Sequence, residues 1–474
     1  MKLLYIYISA ILISAALLAG CTKFSDSLIK DPNNATTASG MQLIANAEMA
    51  LPSLSSSPYG VHYPQYLSNT SFTDNSRYTT VNFSFYPFYT GPLTNLENAI
   101  NAQLDANQGP VVNQLAVAKI LKAYFYWHMT DRWGSLPYSQ ALQGRANFTP
   151  AYDSQQQIYN SLFALLDEAN STIVTTNGNL KNDIVYSGDI LKWKKLGNTI
   201  HLLMALRLSK VDNEKGKAEF KKALSNGIMT TNSDNLAYPH LNDANNENYW
   251  YNSFTQLGRN WFAVSKPLVD YMLPLNDPRL PVFANPNTAG NYVGLEYGKA
   301  VPNSSDIDQV SLLGSSLRRQ NSPVHLVTYG QALFALAEAA KLGWIEGGDA
   351  AAKTNYKLAV ENSIAQWTGS TAGTADFLAQ ENVKYNAVKA LEQIATQRWV
   401  HLFLHGYEGW AEWRRTGYPT LVAAPGANGD RIPRREGYPT QERANNTTNY
   451  NLAVSSFPYG GADDLNTRVW WDKP

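Results

Sequence analysis

Cysteine is almost absent: Cys21 is the one thiol in 474 residues. That excludes an internal disulfide and any zinc site built on several thiolates. Charge is also sparse. Asp, Glu, Lys and Arg make up 16% of the chain, and 38 basic residues balance 38 acidic ones. With no net field to attract a polyanion, a nucleic-acid partner is not indicated. The common catalytic signatures are missing too: G-x-S-x-G, H-E-x-x-H and G-x-G-x-x-G do not occur. GLEYGKA at 294–300 has glycines like a phosphate loop but ends in alanine, so it lacks the hydroxyl that would hold magnesium. Asp243, Asn245 and Glu247 alternate like calcium ligands without the turn glycine or the distal glutamate. Beyond Leu18, no apolar run is long enough to cross a bilayer.

The first residues account for the lone cysteine. Lys2 precedes a mostly apolar stretch at 3–18, and small Ala19 and Gly20 precede Cys21. Charged, then apolar, then small is the order of a secretory signal peptide, expected over 1–20. The competing reading is a transmembrane helix. It is weakened by Tyr5, Tyr7, Ser9 and Ser14 within the stretch and by the lack of a basic stop after it. LLAGC at 17–21 resembles the bacterial lipobox, in which the cysteine is acylated. Cys21 is therefore the expected lipidation site, and the polar, Asn- and Thr-rich residues up to 40 are expected to be a tether.

Helical periodicity dominates the remainder, 41–474, which reads as one domain. Apolar residues recur at spacings of three and four in 111–129 (Leu115, Ala118, Leu121, Phe125), in 155–170 and in 189–210. Residues 331–345 and 349–367 form two more helical stretches separated by Gly347-Gly348, a tetratricopeptide-like unit. One further long helix is expected from about 386 to 413. Strand signals are scarce, although Val81, Phe83 and Phe85 alternate. The expected fold class is mostly α: tetratricopeptide-like helix pairs packed against a loop-rich half with little strand. The loops lie at about 52–92, 231–325 and 418–474, and loops this long commonly carry function.

Two of these loops hold the candidate site. ENYWYNSF, 247–254, places Tyr249, Trp250 and Tyr251 side by side, more rings than one loop can bury against one core, and Trp261 follows shortly after. DNSRY, 74–78, supplies Asn75, Arg77 and Tyr78. An aromatic face binds the C–H face of a sugar ring, while amide and guanidinium groups bond its hydroxyls. The expected groove is therefore walled by Trp250, Trp261, Tyr249 and Tyr78 and furnished with Arg77 and Asn75. A second polar constellation lies at His401, His405, Glu408 and Glu412, spaced four, three and four along the expected long helix. It could ligate zinc or do acid–base work. Flanked by Trp399, Phe403, Trp410 and Trp413, and close to Arg398, Arg414 and Arg415, it is better read as a buried ion-pair network. No metal, cofactor or catalytic residue is expected.

Several stretches, in order, resemble the SusD/RagB family of outer-membrane nutrient-binding lipoproteins. They are LLAGC, DRWGSLPYS (131–139), NDPRLPVFA (276–284), LAEAAKLGW (336–344), QRWVHLFLHGYEGWAEWRRTG, RIPRREGYPTQE and TRVWWD (467–472). The resemblance spans nearly the whole chain. It implies four tetratricopeptide-like helix pairs and a lipid-anchored position on the outer face of the outer membrane. It also implies a partner TonB-dependent transporter of the SusC type and non-catalytic capture of oligosaccharides. A peptide ligand on the same architecture is the alternative, and an all-helical glycoside hydrolase a more distant one. The residues just after Cys21, Thr22 to Ser25, are not acidic as in some surface-exported relatives.

Overall fold

Polar caps and glycines set the limits of the helices. The structure is a computed structural model describing residues 38–55, 58–101 and 104–474. The segment 1–20, Cys21 and the tether as far as residue 37 lie outside the described residues. Helices α1 (Gly40–Met49) and α2 (Thr94–Asn101) lead into α3 (Val111–Trp133), which stops where Gly134 takes a φ of 83°. Helix α4 (Gln155–Thr172) opens in a capping box, with the Gln157 N–H donating to Ser154 and the Gln157 side chain answering the Ser154 N–H. Asp189 caps α5 (Ile190–Arg207), and α6 (Asn213–Ser225) starts behind Asp212. Thr328 and Gln331 form the box of α7 (Tyr329–Lys341), and Gly347 separates it from α8 (Gly348–Thr368).

The helices pack in sequential pairs: α3 with α4, α5 with α6, and α7 with α8. The fourth pair is α9 (Ala390–His401) with α10 (Gly406–Thr416). A short helix, α11 (Thr447–Ser455), follows in the C-terminal loops. Helix α3 is central. The stripe expected on it includes buried Ala118, Leu121 and Phe125, but the burial continues round the helix from Ala123 to Trp133. It meets α1, α2, α4, α5 and α10, which explains why so few of its positions are exposed. Residues Gly40–Pro474 form one compact unit.

The expected helix at 386–413 is two helices. The chain leaves α9 at Leu402, Leu404 takes a φ of 67°, and α10 begins at Gly406. A Cβ on Gly406 would lie 2.3 Å from the Gly60 carbonyl group, so the bare glycine lets this corner press onto an early loop. Close tertiary approach here overrides the helical period. The alternation at 81–85 does not make a strand either; it yields a single parallel bridge between Asn82 and Gly437.

Strands are short and pair in twos, all antiparallel. They are β1 (Leu67–Asn69) with β5 (Phe262–Val264), β2 (Leu136–Pro137) with β3 (Tyr152–Asp153), and β4 (Leu236–Tyr238) with β6 (Val324–Val327). They staple distant loops to one another. The β1–β5 pair matters most, since it brings the early loops against the mid-chain loops.

Candidate functional site

The register Leu67↔Val264 to Asn69↔Phe262 continues one step beyond the strands. The Thr70 N–H donates to Trp261 O (2.9 Å) and the Thr70 hydroxyl to Asn260 O (2.8 Å). Residues 70–78 are thereby fixed beside 255–261, although almost 200 positions separate them. The first loop is tight. Arg77 N–H reaches Thr73 O (2.9 Å), and Ser76 N–H reaches the Asn69 amide oxygen (3.3 Å). The third wall is a helical turn, Tyr249–Tyr251, capped by Asn248, whose amide oxygen accepts from Trp250 N–H (2.8 Å).

Between these segments lies an open cleft of about 460 Å³, within the size range of small-ligand sites. Tyr249 and Trp261, both half-buried, form its aromatic walls together with exposed Phe72; Asp74, Asn75 and Arg259 supply polar groups. Phe72 meets Trp261 edge to face at 5.2 Å, and the Arg259 guanidinium carbon sits 4.7 Å from the Trp261 ring centre. Burial pushes the Tyr249 hydroxyl up to about 12, opposed by the charge of Arg259, so the phenol stays a neutral donor at physiological pH.

Three of the six expected ligand-binding residues meet here: Tyr249, Trp261 and Asn75. The other three lie outside the cleft. Trp250 is only 2% exposed and packs edge to face on Phe262 at 5.2 Å, behind Tyr249 rather than beside it. Successive residues of a helical turn point about 100° apart, so neighbouring rings cannot share a wall. Tyr78 is buried between Tyr63 and Tyr297, its backbone in the left-handed region at φ 59°. Arg77 reaches away, donating to Pro425 O (2.9 Å) and Gly298 O (3.4 Å), and so ties loops together. Sequence reasoning missed Phe72 and Arg259. Phe72 carried the same signal that marked 247–254, a large ring in a polar loop.

The His/Glu constellation is interior, as its aromatic flanks implied; Arg398 and Arg415 pair there as expected, and Arg207 and Glu338 join from other helices. Arg207 of α5 donates to Glu412 (2.5 Å) and Glu408 (2.7 Å) and lies 3.1 Å from Asp131. Glu412 also accepts from Arg398 (2.5 Å) and Arg415 (2.6 Å), and Glu338 of α7 accepts from the same two arginines. Arg414 takes no carboxylate here. It donates to the carbonyls of Arg434 and Asp131 and stacks on Trp410. His401 and His405 are not neighbours on one helical face, because the corner at 402–405 turns them apart. His401 bonds the hydroxyls of Thr328 (2.7 Å) and Ser363 (3.0 Å). Burial depresses both imidazoles to about 3, so they are neutral packing groups. Among the described residues, no set of His, Cys, Asp or Glu side chains is arranged to hold a metal ion, and no helix is long and apolar enough to cross a membrane.

A stacked helix-pair scaffold thus displays an aromatic cleft on its loops. Comparison gives the family. A SusD-like family model described as "Starch-binding associating with outer membrane" matches residues 32–439, and the chain belongs to that family. Among solved structures, a chitin-binding protein is 28% identical, with a TM-score of 0.78 over 92% of this chain and 100% of its own. A SusD homologue from Bacteroides fragilis is 25% identical at TM-score 0.80 with the same coverage. A chitin-binding SusD homologue from Flavobacterium johnsoniae is 24% identical at TM-score 0.76, covering 92% of this chain and 98% of its own. No curated protein matches.

Proposed function

We propose that this protein captures oligosaccharides in the Tyr249–Trp261–Phe72 cleft without transforming them and passes them to a TonB-dependent transporter of the SusC type. Cys21 carries the lipid that holds it on the outer face of the outer membrane. The observation that carries this reading is the cleft itself. Rings with accessible faces stand beside Asn75, Asp74 and Arg259, a surface suited to the two-sided polarity of a sugar. The family description, which names starch, and the 28% identical chitin-binding neighbour both support a glycan ligand, with starch-like and chitin-like glycans as the two to compare. The hydrolase alternative loses its carboxylate pair, since Glu408 and Glu412 are both engaged by Arg207 inside the core.

The test is affinity electrophoresis of residues 22–474 in gels cast with soluble chitin derivatives, starch and other polysaccharides, beside a peptide array. One polysaccharide should retard the protein. Removing a central aromatic anchor costs about 2 kcal/mol or more, so Trp261→Ala should weaken binding roughly thirtyfold. Peptide binding without retardation by any glycan would move the protein to the peptide-binding reading.

A further inference from the structure

A second concavity, of about 360 Å³, is bordered by Trp250, which does not line the cleft. The start of β6, the loop before it, the end of α8 and the α9–α10 corner enclose it. Half-buried Trp367, backed by buried Trp250 and Phe403, gives it an aromatic wall; Ser316, Arg319, Asn321, His325 and Gln366 give it polar ones. Trp367 spends its indole N–H on His401 O (3.0 Å) and is braced by Phe283 at 5.0 Å, so only the hydrocarbon of its ring is offered. The corner is held in place too: Ser55 donates to Leu404 O (2.8 Å) while Leu404 keeps its left-handed backbone.

One polar group in this wall is unanswered. His325 sits edge-on to Trp367 at 5.4 Å, and its Nδ1 is buried with no hydrogen-bond partner in the protein. An unpaired buried imidazole nitrogen costs free energy unless something else bonds it. Burial depresses the ring to about 4, so at neutral pH it offers one donor and one acceptor without charge. The lining holds no carboxylate, so a cationic ligand would meet no counter-charge; its one charged group, exposed Arg319, donates to Ser316 O (3.2 Å). Rings on some walls and neutral bonding groups on others match a neutral polyhydroxylated ring, and the volume suits one or two of them.

We infer that the pocket around His325 and Trp367 is a second saccharide site, sized for a disaccharide and separate from the Trp261 cleft. Its choice of ligand rests on the saccharide reading above; its geometry does not. Trp250 lines it and its ring centre lies 5.0 Å from that of Tyr249 in the cleft, so one ring contact links the two sites.

The test uses residues 22–474 with two probes, N,N′-diacetylchitobiose and maltose, measured by titration calorimetry and by soaking crystals of Trp261→Ala, in which the cleft is disabled. One probe should bind Trp261→Ala within about twofold of its wild-type affinity and give density against Trp367. His325→Phe should weaken that binding at least tenfold while leaving polysaccharide retardation in place. Should His325→Phe fail to fold, Ser316→Phe, which fills the pocket from its rim, replaces it with the same expectation. The second site is refuted if neither probe binds Trp261→Ala, if density lies elsewhere, or if the pocket variants bind as well as wild type. The cleft reading fails separately, if Trp261→Ala is retarded in the polysaccharide gel as strongly as the wild type.

Discussion

Glu412 and Glu408 lie one turn apart on α10, yet replacing each by glutamine should have very different effects. Glu412 is 7% exposed and accepts from three arginines, Arg207, Arg398 and Arg415, on three different helices. In Glu412→Gln the amide would keep the shape but remove the charge and point its protons at guanidinium donors. Removing one member of a buried ion pair costs about 3–5 kcal/mol, because the remaining charge is left uncompensated. Glu338 still answers Arg398 and Arg415, and Asp131 and Glu408 still answer Arg207, which keeps the loss within that range. A folded unit of about 435 residues unfolds with an entropy near 0.9 kcal/mol/K, so the melting temperature should fall by about 3–6 °C. Glu408 bonds Arg207 alone, and burial beside Glu412 and Asp131 raises its carboxyl toward about 7. At neutral pH its charge is already costly, so Glu408→Gln should lose about 1 kcal/mol or less. Circular dichroism melts at pH 7 measure both. Equal shifts, or a Glu412→Gln melt within about 1 °C of wild type, would refute the charge-balance argument. Both variants should still be retarded by polysaccharide, whereas a catalytic pair would show folded protein with lost turnover.

Trp250→Ala, at a position that is buried, should cost about 3–5 kcal/mol, while Trp261→Ala in the half-buried wall should leave the melting temperature within about 2 °C; equal losses would place both rings in the core. Gly406→Ala should destabilise by more than the ordinary helix preference of alanine can offset, because its Cβ would meet the Gly60 carbonyl; a more stable variant in urea melts would show that the corner can open. Burial depresses His62 and His325 to about 4 and His401 and His405 to about 3, so the unfolded chain takes up these protons near pH 6.5 before the native state does, and stability falls as pH drops below 6.5. His62→Gln should flatten the stability curve between pH 6 and 4.5 by about 1.4 kcal/mol per pH unit, and parallel curves would mean His62 is charged in the native protein. Cys21→Ala should yield folded protein that no longer fractionates with membranes; membrane retention would refute the lipid-anchor proposal.

The motifs that carried the family resemblance converge in the structure on buried framework. Asp131 and Arg132 of DRWGSLPYS meet Trp471 of the tail (2.7 Å) and Glu436 of RREGY (2.7 Å) respectively. Arg279 of NDPRLPVFA closes on Asp277, Gln397 and Ser363. Glu338 of LAEAAKLGW and Arg415 of EWRR close on each other. Buried charges must be answered in a fixed geometry, which confines them to particular residues at particular positions. That is why the fold was readable from the sequence.

By itself, then, the sequence determined the helix-pair scaffold and the interior character of the Glu408–Glu412 stripe, and it singled out the two loop regions that the structure sets beside the cleft. These follow from local period, from aromatic flanks around charged residues, and from the mismatch of three adjacent rings with one core. Only the tertiary structure decided which rings face the cleft. A loop residue's side depends on contacts across nearly 200 positions: the β1–β5 pairing that sets Trp261 beside Phe72, and the helical turn that sends Trp250 inward while Tyr249 looks out. The corner at Leu404 was equally hidden, since nothing near it in sequence shows that Gly60 lies against Gly406.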